Sequence, residues 1–440
     1  MISPVAHAST PATSYDVVTA VWGEEFVSLF LDFCIPNQLS PGNLPALPAG
    51  SRYRIFTTAT DARRLKESSR LEEVGRVLPV EIVEMDLTEA DASPKRGQTT
   101  NTHKRMIACH QRAVADAADV QAALIFLSPD IVLGEGTMAA LVRIHTNGSR
   151  AVLTTGLRLV RETFTAALAG TGGSAALAPR ELVGLAMKHL HSWTRSLMAD
   201  VDATSDNPSS VYWPVRSGEG EHGVIVRTFS LHPLLVDPVN RTHVPGGPID
   251  SHYVMHACPD LAQCHVVEDS DELAVFELSP EGRVIGNQFR RRGISAARLA
   301  ALAETCNRHQ QQYWDRSIRL HAGELDERWT AVEADSLALV RAVNRYRSIA
   351  PLLIAGFQLR KFWRQRCAAS GRTYRRARGS VREAGRVLGR GVKNVREARK
   401  LLRPPLTSKQ ISRPAKLFMH RTAKHGKAGL KRIGRRVGLL

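Results

Sequence analysis

Cysteine is scarce in this sequence, with six in 440 residues. That is too few for a disulfide framework, so the pattern points to a reducing compartment and hence to the cytoplasm. Aromatic residues make up only 6%. Long apolar runs are missing as well. The longest clear one, residues 349–357, is half of the roughly 18 residues that a membrane span needs, and Pro351 breaks it. Residues 1–14 are rich in Ala, Ser, Thr and Pro, without the basic start and apolar stretch of a secretory signal. Neither a Walker phosphate loop nor Gly-x-Ser-x-Gly occurs, which argues against a P-loop NTPase and a serine hydrolase.

What is present is a soluble-protein composition, 43% hydrophobic and 23% charged, with a net charge of +18 that is unevenly spread. Residues 360–440 carry 26 Lys and Arg against Glu383 and Glu397, a net +24. The other 359 residues carry 34 basic and 40 acidic side chains, a net −6. The basic character therefore belongs to a tail, and charge gives no support to nucleic-acid binding by the body.

The body alternates strand and helix patterns. Residues 15–21 form a β-branched run that ends at Trp22-Gly23, and 24–35 have Phe26, Leu29, Phe30 and Phe33 at helical spacing, with Pro36 expected to stop the helix. Further strands are expected at 53–58, 80–85, 122–127 and 151–155. Helices are expected from a cap at Asp61 to 76, over 104–118 and over 137–145. The run 122–127 is continuously apolar, as a strand covered on both faces should be. Residues 161–193 read as helical and 205–221 as a polar loop. Residues 223–230, 264–267 and 274–278 read as strands, and 295–347 as largely helical. The alternation predicts an α/β domain with a mostly parallel sheet and flanking helices, followed by a helical segment and a basic, partly helical or disordered tail. Ligands of such sheets sit at the carboxyl ends of the strands, which puts Trp22-Gly23, Asp61 and the stretch 128–136 on one rim.

Several residues there carry candidate chemistry. Asp130 follows the buried strand, beside a helix start at Gly136-Thr137. A carboxylate there can hold a divalent cation, and the nearby N–H groups can receive a phosphate. A plain turn and helix cap would account for it as well. The cluster 268–272, Glu-Asp-Ser-Asp-Glu, follows an apolar pair, and its carboxylates repel one another unless a cation or a base joins them. It contains a literal Asp-x-Asp in Asp269 and Asp271, which could ligate a metal or serve as general base; a solvated acidic loop is the plainer account. Asp250 is a further base candidate. Lys104 and His110 precede Asp130 on its helix, where a cation could meet a diphosphate. Trp22 could stack on a nucleotide base. His252, His256, Cys258, Cys264 and His265 have the composition of a zinc site, but they contain no Cys-x-x-Cys pair and match no standard spacing, so a structural zinc is not expected.

The segment 104–130 resembles a stretch of nucleotide-sugar glycosyltransferases with the GT-A fold, in which a helix with a basic residue near its start feeds an apolar strand ending in Asp-x-Asp. The resemblance extends loosely over about 15–278. It implies a GT-A-type sheet over 14–290, after an N-terminal stretch 1–13 and before a helical segment 291–356 and a basic tail 357–440. It implies transfer of a sugar from a nucleoside-diphosphate sugar to a hydroxyl acceptor, assisted by Mg²⁺ or Mn²⁺. By resemblance Asp130 and His232 would hold the metal, Asp269, Asp271 or Asp250 would act as base, and Trp22, Gly23, Asp61 and Lys104 would face the nucleotide. Ser128 stands where the family has the first Asp of its pair.

In the tail, Val381, Ala384, Leu388, Val392, Val395, Ala398 and Leu402 recur at steps of three and four among basic residues, after a capping box at Ser380 and Glu383. Pro404-Pro405 should end this helix, and Gly385, Gly389 and Gly391 weaken it by about 1 kcal/mol each. A basic amphipathic helix suits an anionic membrane surface at the inner face of a membrane, with nucleic acid as the second fit. The alternative to an enzyme is thus a binding protein that keeps a degenerate GT-A fold and acts through its tail.

Overall fold

The computed structural model describes residues 12–86, 101–169, 176–201, 203–204, 208–218, 220–282, 290–291 and 294–349. The expected loop at 88–102 lies almost wholly outside these residues. So do the amphipathic helix of the tail and the N-terminal stretch 1–11. The chain divides into two units, 1–342 and 343–440, and the sheets and the cleft belong to the first.

Among the described residues fifteen strands occur. In chain order they are β1 (Tyr15–Ala20), β2 (Arg52–Thr57), β3 (Val80–Glu84), β4 (Ala123–Leu127), β5 (Ile131–Leu133), β6 (Ala151–Thr154), β7 (Arg158–Val160), β8 (Ala203–Thr204), β9 (Ser210–Ser217), β10 (Gly220–Thr228), β11 (His232–Val236), β12 (Cys264–Val266), β13 (Val275–Ser279), β14 (Arg290–Arg291) and β15 (Ile318–His321). Seven of them form the central sheet in the order β12-β6-β11-β4-β1-β2-β3. All run parallel except β11, which is antiparallel to both its neighbours, β4 and β6. The amino end of β11 therefore shares a rim with the carboxyl ends of the others. The chain is thus a mixed α/β protein with a mostly parallel central sheet, as the strand–helix alternation predicts.

Every residue of β4 is buried, which is why its sequence is unbroken Ala-Leu-Ile-Phe-Leu. Helix Asn101–Val120 precedes it and extends beyond the expected 104–118 at both ends. Under the sheet a single carboxylate gathers a polar network. Asp237 is fully buried and meets His145 Nε2 at 3.0 Å, Arg241 at 2.5 Å and, more closely still, Arg150. Tyr15 extends the chain by a 2.8 Å bond to His145 Nδ1. Burial works to raise the Asp237 pKa. The bond to His145, the Ala12 N–H and the two guanidinium groups overcome it and hold the carboxyl below its usual range.

Five expectations give way to the structure. The helix at 24 does not stop at Pro36. Helix Glu24–Leu29 runs through a π turn, Phe30–Cys34, into Ile35–Gln38. Proline, which lacks an N–H, is tolerated in the first turn of that last piece. Asp61 is not the cap of its helix. Helix Ala59–Lys66 is capped by Thr58, whose Oγ1 accepts from the Asp61 N–H at 3.3 Å, and a second helix, Ser69–Gly75, follows a break. Residues 210–217 are not a loop. They form β9, which pairs with β10 and buries Tyr212 and Trp213. Pro214 is accommodated because β9 is the edge of the sheet β15-β10-β9. The spacing Gly218-x-Gly220-x-x-Gly223 falls on this hairpin, where Gly220 has φ 125°, and not on a strand-to-helix turn. Finally, 295–347 is interrupted by β15, whose Ile-Arg-Leu-His alternates buried positions Ile318 and Leu320 against β10. Residues 161–193 are likewise split, into helices Arg161–Ala169, Pro179–Lys188 and Ser192–Arg195.

The third sheet, β5-β13-β7, caps the carboxyl rim of the central one. The close approach depends on Gly156, where a Cβ would lie 2.5 Å from the Val275 carbonyl oxygen. Among the described residues no helix is long and apolar enough to cross a membrane.

Candidate functional site

A cleft of about 340 Å³ opens at the carboxyl rim of the central sheet. Its floor is made by what the strands deliver there: Ser128 after β4, Thr154 and Thr155 at the end of β6, and His232 at the start of β11. One wall comes from the capping sheet, with Arg158 and Glu277, which form an ion pair at 2.5 Å. The other comes from Trp193, Tyr212 and Asp250. Eight of the nineteen lining residues carry a hydroxyl, Ser209, Ser210, Ser230 and Thr194 adding to those of the floor, with Thr194 bonded to the Arg158 carbonyl and Ser210 to Thr228. Such a surface offers many paired donors and acceptors and little net charge, which suits a polyhydroxylated ligand.

His232 is half-buried, and its Nε2 donates to the Phe126 carbonyl at 3.3 Å. Burial lowers its pKa, with the carbonyl opposing. His110 lies near it beneath the cleft, edge-on to Phe126 at 5.4 Å, with no partner for its buried Nδ1. Burial and the neighbouring His232 hold His110 down to about 4. Both rings are therefore neutral at pH 7. Asp250 caps helix Ser251–Ala257, accepting through Oδ1 from the N–H groups of His252 at 2.8 Å and Tyr253 at 3.3 Å. Burial pushes the Tyr212 phenol up to about 12.

Two of the sequence-derived site residues, His232 and Asp250, thus meet at one cleft. The others lie elsewhere. Asp130 is buried, 6% exposed, in the turn between β4 and β5, where its carbonyl accepts from the Leu278 N–H at 2.8 Å. It is near enough to the buried Cys34 to help raise that thiol's pKa, after burial itself. Trp22, Gly23 and Asp61 come together at the ends of β1 and β2, where Asp61 Oδ2 accepts from the Gly23 N–H at 3.0 Å and from Thr58 Oγ1 at 2.7 Å. Lys104 sits in the first turns of helix Asn101–Val120. None of these five lines the cleft.

Asp269 and Asp271 form a separate cluster with His321 of β15. Their ligand-type atoms all lie within 4.8 Å of one another. Asp269 Oδ1 is 2.8 Å from His321 Nε2, Asp271 Oδ1 is 3.8 Å from it, and Arg180 clamps the Asp271 carboxylate at 2.7 Å. The loop is stitched to β15 by backbone bonds between Ser270 and Arg319 and between Arg319 and Glu268. The mutual repulsion expected of 268–272 is met by bases: Arg316 on Glu268, His321 on Asp269, Arg180 on Asp271 and His265 on Glu272. Burial tends to raise the Asp269 pKa, but the His321 bond and the Asp271 N–H outweigh it and lower it. Burial likewise opposes the charge on His321, and the bonds to Asp269 and Gly323 prevail and raise its pKa.

Sequence reasoning missed His321, Arg158, Glu277 and Trp193. The Ile-Arg-Leu-His alternation signals the strand that delivers His321, but it is only four residues long inside a helical stretch.

No family model and no curated protein matches the chain. Solved structures are similar to parts of it, two of which follow. Mouse xyloside xylosyltransferase 1, in its apo form, is 11% identical with a TM-score of 0.22, covering 36% of this chain and 59% of its own. S. aureus TarS is 11% identical with a TM-score of 0.21, covering 33% of this chain and 22% of its own. The chain therefore spans about three fifths of the first and a fifth of the second.

Proposed function

We propose that the chain is a glycosyltransferase-like enzyme that transfers a sugar from a nucleoside-diphosphate sugar to a hydroxyl acceptor in the cleft. The observation that carries this reading is the hydroxyl-rich cleft on the carboxyl rim, where Asp250 and a neutral His232 meet. In this reading Asp250 takes the proton from the acceptor hydroxyl as it attacks, since a carboxylate within hydrogen-bond reach is the simplest base available there. The neutral imidazole of His232 keeps its Nε2 proton on the Phe126 carbonyl, so it shapes the floor and does not add charge. Trp193 offers a face on which a sugar ring or a base can pack.

For Mg²⁺ or Mn²⁺, the donor set that fits is Asp269, Asp271 and His321. The Nδ1–H of His321 is committed to the Gly323 carbonyl at 2.5 Å, which turns Nε2 toward the two carboxylates. Such a cation would supply positive charge at this cluster, which lies apart from the cleft, and no step of the transfer is routed through it.

The test is a thermal-shift screen of the full chain against UDP-, GDP-, CMP- and dTDP-sugars, with and without Mn²⁺. Saturation at about 100 times Kd stabilises by about 2.7 kcal/mol. A shift with one nucleotide, lost in Trp193→Ala, supports the reading. No shift with any donor overturns it.

A second reading rests on the burial of Asp130 and the +24 charge of residues 360–440: a binding protein whose tail meets an anionic membrane surface or nucleic acid. Its expected result is binding of the full chain to anionic vesicles or to RNA, and not to zwitterionic vesicles.

A further inference from the structure

Three imidazoles gather on the outer side of helix Ser251–Ala257, away from the sheet. The helix buries Ser251, Tyr253, Val254 and Ala257. That leaves His252 and His256, four residues apart, one above the other with ring centroids 4.8 Å apart. The loop after β11 returns over this face and adds His243. Its ring lies 4.8 Å from that of His256, tilted by 37°, and 5.9 Å from Tyr253, nearly parallel at 23°. The loop is held in place. Arg241 is tied to Asp237 at 2.5 Å and to the Ala122 carbonyl at 3.0 Å, and Gln111 donates to the Pro245 carbonyl at 2.8 Å.

Nothing else on this face explains the cluster. Among the described residues no ring nitrogen of the three has a hydrogen-bond partner, and no carboxylate pairs with them. Oδ1 of the adjacent Asp250 is committed to backbone N–H groups. The cysteines of the neighbourhood are turned elsewhere. Cys258 is buried and points its thiol at the Arg150 and Asp237 carbonyls, while Cys264 points at the Cys258 and Asp260 carbonyls. Three neighbouring imidazoles repel as cations, and the pKa of His243 is lowered, first by burial and then by His256 and His252.

We propose that His243, His252 and His256 bind one borderline divalent transition metal ion, with Zn²⁺ as its probe. A His pair at i and i+4 on one helix face delivers two nitrogens to a common point, and His243 supplies a third from the loop. As placed, the three rings do not bring one nitrogen each within 4.8 Å of the others, so binding requires them to turn about their broad side-chain torsions. Imidazole ligands select Zn²⁺, Cu²⁺ or Ni²⁺ over Mg²⁺ and Mn²⁺. Three protein nitrogens leave the fourth tetrahedral position to water. The ion would pin the loop to the helix whose cap, Asp250, lines the cleft. The site is independent of Asp269, Asp271 and His321, whose carboxylates favour harder cations.

The experiment uses tag-free full-length protein, stripped with chelator and titrated with Zn²⁺ by calorimetry, with bound metal counted by elemental analysis. One equivalent is expected in the parent chain and in Asp271→Asn. His252→Ala with His256→Ala should lose it, and His243→Ala should weaken it about tenfold or more. Both helix positions lie off the buried face, so folding should survive, and the melting curve of the metal-free variants checks this. Absence of binding in the parent chain, or unchanged binding in the double variant, overturns the proposal. Full affinity in His243→Ala removes the loop from the site and overturns the three-ligand form. Loss in Asp271→Asn transfers the ion to the acidic cluster and overturns it too.

Discussion

His321 Nε2 lies 2.8 Å from Asp269 Oδ1, across the seam where the loop 268–272 is stitched to β15. The two pKa values move apart, His321 up from 6.5 and Asp269 down from 3.8. The His321 contribution to stability is present in full below its unfolded value of 6.5 and is lost as pH rises through its higher folded value. The Asp269 contribution is present above 3.8 and is lost as pH falls through its lower folded value. The pair therefore stabilises most between these limits. Asp269→Asn should cost about 1 kcal/mol at pH 5.5, as expected of a charged hydrogen bond that solvent partly screens, and less at pH 8.5. Urea melts at the two pH values decide it; an equal cost at both would show that the pair does not carry charge.

The central polar network gives a larger effect. Asp237 is fully buried, and its carboxylate meets Arg150, Arg241 and His145 together. Removing it strips a shared counter-charge from two guanidinium groups. Asp237→Ala should destabilise by about 3–5 kcal/mol, enough to unfold a marginal domain. The Asp237→Ala, Arg150→Met double variant should recover part of the loss, because a buried positive charge then leaves together with its partner. A chemical melt of the three proteins tests both statements.

How much of the fold was legible in the sequence depends on the length of each signal. The unbroken apolar run of β4 announces a strand buried on both faces, because little else in a soluble chain tolerates such a run, and the Val-Val-Thr of β1 is a β-branched signal. β9 was hidden by Pro214, which an edge strand accepts but a sequence reading counts as a loop. β15 was hidden by its four residues, and with it His321. His232 and Asp250 were readable as strand-end and loop groups, but their meeting at one cleft arises from β11 running against its neighbours, a reversal that no local pattern encodes. The same holds for His243. It is nine residues from His252 in sequence and comes to the helix face only through a loop anchored at Arg241 and Pro245.

His110 offers a test of burial. Its folded pKa of about 4 lies below the 6.5 of the unfolded chain, so it is neutral in the fold. The sign is opposite to that of His321. The unfolded state binds the proton more readily, and stability present above pH 6.5 is lost as pH falls toward 4. The shift corresponds to about 3 kcal/mol over that range. His110→Phe keeps a ring against Phe126 and removes both the titration and the unpartnered Nδ1. Its urea midpoint should therefore match or exceed the parent at about pH 7.5 and exceed it by a wider margin at about pH 4.5. A margin that does not widen on acidification would mean that His110 is solvated.

Asp250 separates chemistry from scaffolding, because it does two things at once. Its Oδ1 caps helix Ser251–Ala257, and its carboxylate faces the cleft. Asparagine caps a helix as well as aspartate does, while alanine costs about 1 kcal/mol. Asp250→Asn should therefore leave the melting temperature unchanged while removing the base, and Asp250→Ala should lower both stability and rate. General base catalysis contributes on the order of 10²–10⁴-fold, so sugar transfer by Asp250→Asn should fall by at least about 100-fold. Donor binding, read by thermal shift, should persist in that variant, because the acceptor's proton and not the donor is what the carboxylate meets. Undiminished transfer in Asp250→Asn would reduce Asp250 to a helix cap. The search for the base would then move to Glu277, the other carboxylate on the wall of the cleft, which Arg158 holds as an ion pair.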